Sequence, residues 1–107
     1  MSLQSTSIFT TAEKIFRTLV RENIFKNYEE LLRDLMLTYI NQQIETYQKK
    51  IHNFEKKYRL SFEDFTRSLK GKASWQDEDE WMDWEDAVTF LKKWKKIKDE
   101  VLHAAVE

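Results

Sequence analysis

The chain has 107 residues, 18 Lys/Arg against 19 Asp/Glu, no Cys, no Pro and one Gly, the size of a single domain in which roughly two-thirds of the unfolded surface can be buried. Without cysteine there is no disulfide framework, no thiolate nucleophile and no Cys-based zinc site, a usage that suits a cytoplasmic setting. The near absence of helix breakers, with 35% charged and 41% apolar residues, is the composition of long amphipathic helices.

The longest uncharged stretch, Met1 to Ala12, is polar, lacks a basic flank and is too short to cross a bilayer, so neither an export segment nor a membrane partner is expected. Within it, Ser2 to Thr10 is rich in Ser and Thr with isolated Leu3, Ile8 and Phe9, and reads as either a frayed arm or one short strand. Thr10 precedes Glu13 with capping-box spacing, which places the start of a first helix near Thr11. Ile15, Phe16, Leu19 and Val20 give that helix one apolar face, and Glu22-Asn23 interrupts it, so it is expected to end at Arg21 to Asn23.

Asn27 precedes Glu30 with the same cap spacing and opens a second helix from Tyr28 to Tyr58 with no internal breaker. Leu37, Ile40, Ile44, Tyr47, Ile51, Phe54 and Tyr58 recur at intervals of three and four, a heptad seam suited to packing along another helix as in a coiled coil. Upstream, Tyr28, Leu31, Leu32, Leu35, Met36 and Tyr39 make a broader stripe suited to the first helix. Ser61 with Asp64 marks a short third helix carrying Phe62, Phe65 and Leu69, expected to stop at Gly71. Ser74 with Asp77 marks a fourth, from about Gln76 to Ala104, acidic at its start and lysine-rich later, as the helix macrodipole favours. Ala87, Phe90, Trp94, Ile97, Val101 and Ala104 form its seam.

At about 1.5 Å per residue the two long helices each exceed about 40 Å, more than the breadth of a small domain, so they are expected to run alongside each other. The fold class is therefore all-α, with one short N-terminal strand left open: a long-helix hairpin or bundle of two long and two short helices. Apolar seams left uncovered by one copy predict a homodimer through Leu37, Ile40, Ile44, Tyr47, Ile51 and Phe54. Charge divides the chain: residues 1–60 hold ten basic and seven acidic residues, residues 61–107 eight and twelve. We accordingly expect residues 1–59 to serve dimerisation and residues 60–107 to bind a partner, within one structural domain.

The acidic group Asp77, Glu78, Asp79, Glu80, Asp83, Glu85 and Asp86 has spacings at which Asp79 and Asp83, or Asp83 and Asp86, could share a magnesium ion. All-α nucleotide pyrophosphohydrolases use two such acidic motifs on facing helices; Glu80-x-x-Asp83 supplies one, while Glu29-Glu30 is followed by Arg33, so the second is missing. Acidic first turns are ordinary complements to the helix dipole, and no metal is expected. His52 and His103 have no nucleophile arrangement beside them. A single glycine cannot build a phosphate-cradling loop, so no cofactor is expected. The basic run from Lys92 to Lys98 reads as a solvated face. Trp75, Trp81, Trp84 and Trp94 fall within twenty residues. Aromatics at helical spacing are ordinarily core, but beside the acids Trp75, Trp81 and Trp84, with Asp79 and Asp83, are the expected contacts to a protein partner.

The stretch Ala12 to Asp34, two amphipathic helices around Glu22-Asn23-Ile24, resembles the helix-turn-helix portion of ribbon-helix-helix antitoxins, whose turn favours Gly at that place. Lys57 to Phe65 and Trp81-Met82-Asp83-Trp84-Glu85 look like small prokaryotic proteins of toxin–antitoxin pairs. The resemblance implies an intertwined dimer, DNA contact through a ribbon at Leu3 to Phe9, autoregulation of transcription, and an acidic C-terminal extension that neutralises a basic toxin. Function is thus expected to be non-enzymatic binding of antitoxin type. The alternatives are a structural helical oligomerisation module and the magnesium-dependent hydrolase.

Overall fold

The computed structural model describes the backbone of residues 2–104 and the side chains of residues 8–104. Four helices follow in order, α1 (Ser2–Arg21), α2 (Tyr28–Tyr58), α3 (Phe62–Ser68) and α4 (Trp75–Ala104), and no strand occurs among the described residues. The all-α class is thereby established. No helix is long and apolar enough to cross a membrane among those residues.

Two boundaries differ from expectation. α1 begins at Ser2, so the segment read as an arm or strand is helix. The cap spacing at Thr10 and Glu13 is satisfied differently: Glu13 pairs one turn onward with Arg17, an i,i+4 ion pair natural to a helix interior. Ile8 and Phe9 lie seven residues before Ile15 and Phe16 and extend the same face upstream. At the other end of α3, the helix stops at Ser68 with Leu69 as its C-cap, before Gly71. Gly71, at φ +72, then turns the chain within the loop to α4.

The remaining termini follow from local hydrogen bonding. α1 closes in a Schellman motif with Asn23 at φ 63, its N–H reaching Val20 O at 3.1 Å and that of Ile24 reaching Leu19 O at 2.9 Å. Asn27 Oδ1 accepts from Glu30 N at 2.8 Å to open α2. Arg59, at φ 55, ends α2 and leaves only Leu60 before Ser61, whose Oγ accepts from Asp64 N at 3.1 Å. Ser74 and Asp77 exchange hydrogen bonds of 3.2 Å, a complete capping box for α4.

By packing, the chain divides into two compact units, Met1–Thr38 and Tyr39–Glu107. This division falls inside α2, whereas the division drawn from charge falls at residue 59/60. The criteria differ because ring contacts to α4 already begin at Tyr39. In the second unit α2 and α4 are antiparallel, shown by the order of their ring pairs: Tyr39 with Trp94, Tyr47 with Phe90, Phe54 with Trp84. α3 lies across one end of this hairpin. There Phe65 packs on Tyr58 at a centroid distance of 4.3 Å and on Trp84 at 5.2 Å. Trp84 and Ala87 are fully buried and Phe65 is 3% exposed, so this end is the centre of the core. The first unit, α1 with the start of α2, buries only Leu31 among its described side chains.

Candidate protein-binding face

The start of α4 carries both the acidic group and three of the four tryptophans, and packing gives these residues different tasks. Trp84 is 0% exposed. It stacks on Phe54 at 5.3 Å and touches Phe62 and Phe65 at 5.5 and 5.2 Å. It is a core residue and cannot serve as a contact to a partner, which corrects the sequence reading. Its indole N–H has no hydrogen-bond partner, a burial that ordinarily costs about 1–3 kcal/mol and is offset here by ring packing.

Trp81, one turn earlier, is half-buried and joins α4 to α3: Nε1 donates to Thr66 Oγ1 at 2.8 Å and the indole stacks on Phe62 at 5.8 Å. Thr66 in turn donates to Phe62 O at 2.8 Å. Trp81 is therefore committed to holding α3 in place, with one edge at a shallow groove of about 250 Å³ that Leu69 and Ala73 also line. Trp75, by contrast, stands 85% exposed at the head of α4.

The acids separate in the same way. Asp77 is bound to the Ser74 cap. Glu80 turns toward α2, accepting from Lys57 Nζ at 2.5 Å and from the Tyr58 hydroxyl at 2.7 Å. The bond from Lys57, and after it the bond from Tyr58, holds the Glu80 carboxyl below its ordinary value. Burial, and then the bond to Glu80, pushes the Tyr58 hydroxyl up, and the same carboxylate raises Lys57. Asp79, Asp83 and Asp86 remain exposed. Of the Glu80-x-x-Asp83 motif, Glu80 is thus turned to α2 and Asp83 to solvent. Among the described residues no group of three His, Asp or Glu side chains is placed to hold a metal ion.

Trp75, Asp79, Met82 and Asp86 are spaced by four, three and four residues and share the solvent face of α4, with Asp83 at its edge. Met82, 57% exposed, was not singled out from sequence. Its spacing from Trp75 was the available signal, but an isolated methionine amid acids carries no mark of exposure until the buried side of the helix is known. The face thus combines an exposed indole and thioether with three carboxylates.

The seam expected to dimerise has its rings occupied within the chain. Tyr47 stacks on Phe90 at 5.7 Å and Phe54 on Trp84, Ile40 is buried, and Leu37, Ile44 and Ile51 are half-buried. At the other end, the expected DNA-contacting segment Leu3 to Phe9 has helical backbone instead of a ribbon, and the side chains of Leu3 to Ser7 lie outside the described residues. Comparison with family models, curated proteins and solved structures yields no match.

Proposed function

We propose that this chain is a non-catalytic binding protein of antitoxin type, whose α4 face of Trp75, Asp79, Met82, Asp83 and Asp86 docks on and neutralises a basic protein. The observation that carries the reading is Trp75, 85% exposed beside free carboxylates at the start of a helix whose other side packs on α2 and α3. An indole in water has no stabilising role in the monomer, whereas tryptophan is the residue most enriched among interface hot spots. The surrounding acids add long-range attraction for a basic partner and repel acidic ones. Residues 61–107, with twelve acidic residues against eight basic, supply a field of the same sign. DNA contact is not part of this proposal, because the segment that would form the ribbon is helical.

The test is co-expression of the full chain with the product of the adjacent gene, followed by affinity purification of a tagged copy at low and high salt. A complex is expected at low salt and weakens at high salt as the charges are screened. Trp75→Ala is expected to weaken it about 30-fold, the size of a ~2 kcal/mol hot spot. Asp79→Lys with Asp83→Lys abolishes it. A complex indifferent to all three substitutions, or no complex at all, refutes the reading.

A further inference from the structure

The first unit carries exposed apolar side chains on both of its helices. On α1, Ile8, Phe9 and Ile15 are at least half exposed, and on the start of α2, Leu32, Leu35 and Met36 are each close to half exposed. Ile24 in the intervening turn and Tyr28 bring the number to eight large apolar side chains, with exposures from 46% to 73%. Phe9 and Phe16 of α1 and Tyr28 of α2 line one groove of about 370 Å³, so both helices contribute to it. Two helices alone cannot enclose a core, and Leu31 is the only described side chain of this unit that is buried.

We infer that a second copy of this chain covers that surface, α1 and the start of α2 of the two copies closing into a four-helix bundle. Area is the first argument. Aromatic side chains bring an area of order 150–250 Å² and large aliphatic ones the lower part of that range; eight with exposures from 46% to 73% leave roughly 700–1,100 Å² free. That is close to the ~800 Å² per partner of a stable interface, and above the ~300–600 Å² patch of an ordinary monomer. Charge is the second. Residues 1–38 hold five basic residues (Lys14, Arg17, Arg21, Lys26, Arg33) and five acidic ones (Glu13, Glu22, Glu29, Glu30, Asp34). A neutral unit bearing both signs can face its own copy without repulsion, as a two-fold interface requires. The same balance leaves residues 1–38 with no net positive charge to attract an anionic lipid surface. Geometry is the third. Two helices with exposed apolar side chains need two more with matching ones to make a closed bundle, and a copy of the same unit provides them. This interface is separate from the α4 face and from the seam whose rings pack against α4.

The test is sedimentation equilibrium of the full chain over a wide concentration range, beside the variants Leu35→Glu and Ile15→Glu. A dimer is expected for the unchanged chain, and each variant weakens it at least about 100-fold, since a buried unpaired carboxylate is added where an apolar contact is lost. All four tryptophans lie in the second unit, so unchanged tryptophan emission shows that the variants leave it folded. Met82→Glu, on the α4 face, leaves the dimer intact. A chain that stays monomeric at high concentration overturns the proposal. So does a dimer unmoved by both α1 and α2 substitutions. So also does a monomer that co-sediments with phosphatidylserine-containing vesicles, which assigns the patch to lipid. None of these outcomes bears on the α4 face, whose reading stands or falls with the partner complex and its response to the α4 substitutions.

Discussion

Replacing Phe65 with alanine should remove most of the stability of the second unit. The ring is 3% exposed and wedged between Tyr58 and Trp84 at 4.3 and 5.2 Å. Truncating a buried phenylalanine costs about 3–5 kcal/mol through lost transfer energy and the cavity left behind. Each aromatic pair adds roughly 0.5–1.5 kcal/mol beyond area. α3 has only seven residues and cannot persist as an isolated helix, so the loss of its one buried side chain also endangers the Trp81–Thr66 hydrogen bond. Against a total of about 5–15 kcal/mol for a small domain, with this one at the lower end, the variant should be partly unfolded at 37 °C. Urea titration followed by tryptophan emission measures it. With a slope of roughly 1–3 kcal/mol per molar, the midpoint should fall by at least about 1 M. Trp75→Ala, at an 85% exposed position, is the control and should change stability by no more than about 0.5 kcal/mol. A loss below about 1 kcal/mol in Phe65→Ala would refute the view that α3 closes the core.

Glu80→Gln should cost about 1 kcal/mol near neutral pH, because the amide still accepts from Tyr58 but loses the ionic part of a site only 25% exposed. The discount reflects Lys57, whose side chain is 59% exposed and largely screened. Since the folded state lowers the Glu80 value, its contribution is present above the ordinary 4.5 and is lost as pH falls through the depressed folded value. Lys57 and Tyr58 are raised from 10.5 and 10.0, so their contributions are present below those values and fade as pH rises past them. Urea midpoints between pH 2 and 7 should therefore converge for the wild type and Glu80→Gln at the acid end; a constant gap would count against the assignment. Left-handed backbone gives a pair of opposite expectations. Arg59, at φ 55, should be replaceable by glycine with a gain of up to about 1 kcal/mol, while Gly71→Ala should cost about 1 kcal/mol despite open space around it. Thermal melts of the two variants should move in opposite directions.

What could be read from the sequence was what is settled within a few residues. Asn27, Ser61 and Ser74 cap their helices because each bond joins residues three apart, and the seams of α2 and α4 repeat because side chains three and four apart share a face. The same locality explains the misplacement at Thr10: a hydroxyl three residues before a carboxylate suits a helix start and a helix interior alike, and Ile8 and Phe9 decide between them only as part of the whole α1 face.

Tertiary structure alone decided which face each element turns inward. Trp75, Trp81 and Trp84 are chemically identical and lie within ten residues, yet one is in water, one is half-buried and hydrogen-bonded, and one is sealed in the core. Glu80 and Asp83 differ in the same way, one bound to Lys57 and Tyr58 and the other free. These fates depend on α3 and α2 arriving from distant parts of the chain, and periodicity records that a helix has an apolar side without recording what covers it. For α2 beyond Tyr39 the cover is α4. On α1 and the start of α2, Ile8, Phe9, Ile15, Leu32, Leu35 and Met36 stay exposed within their own unit.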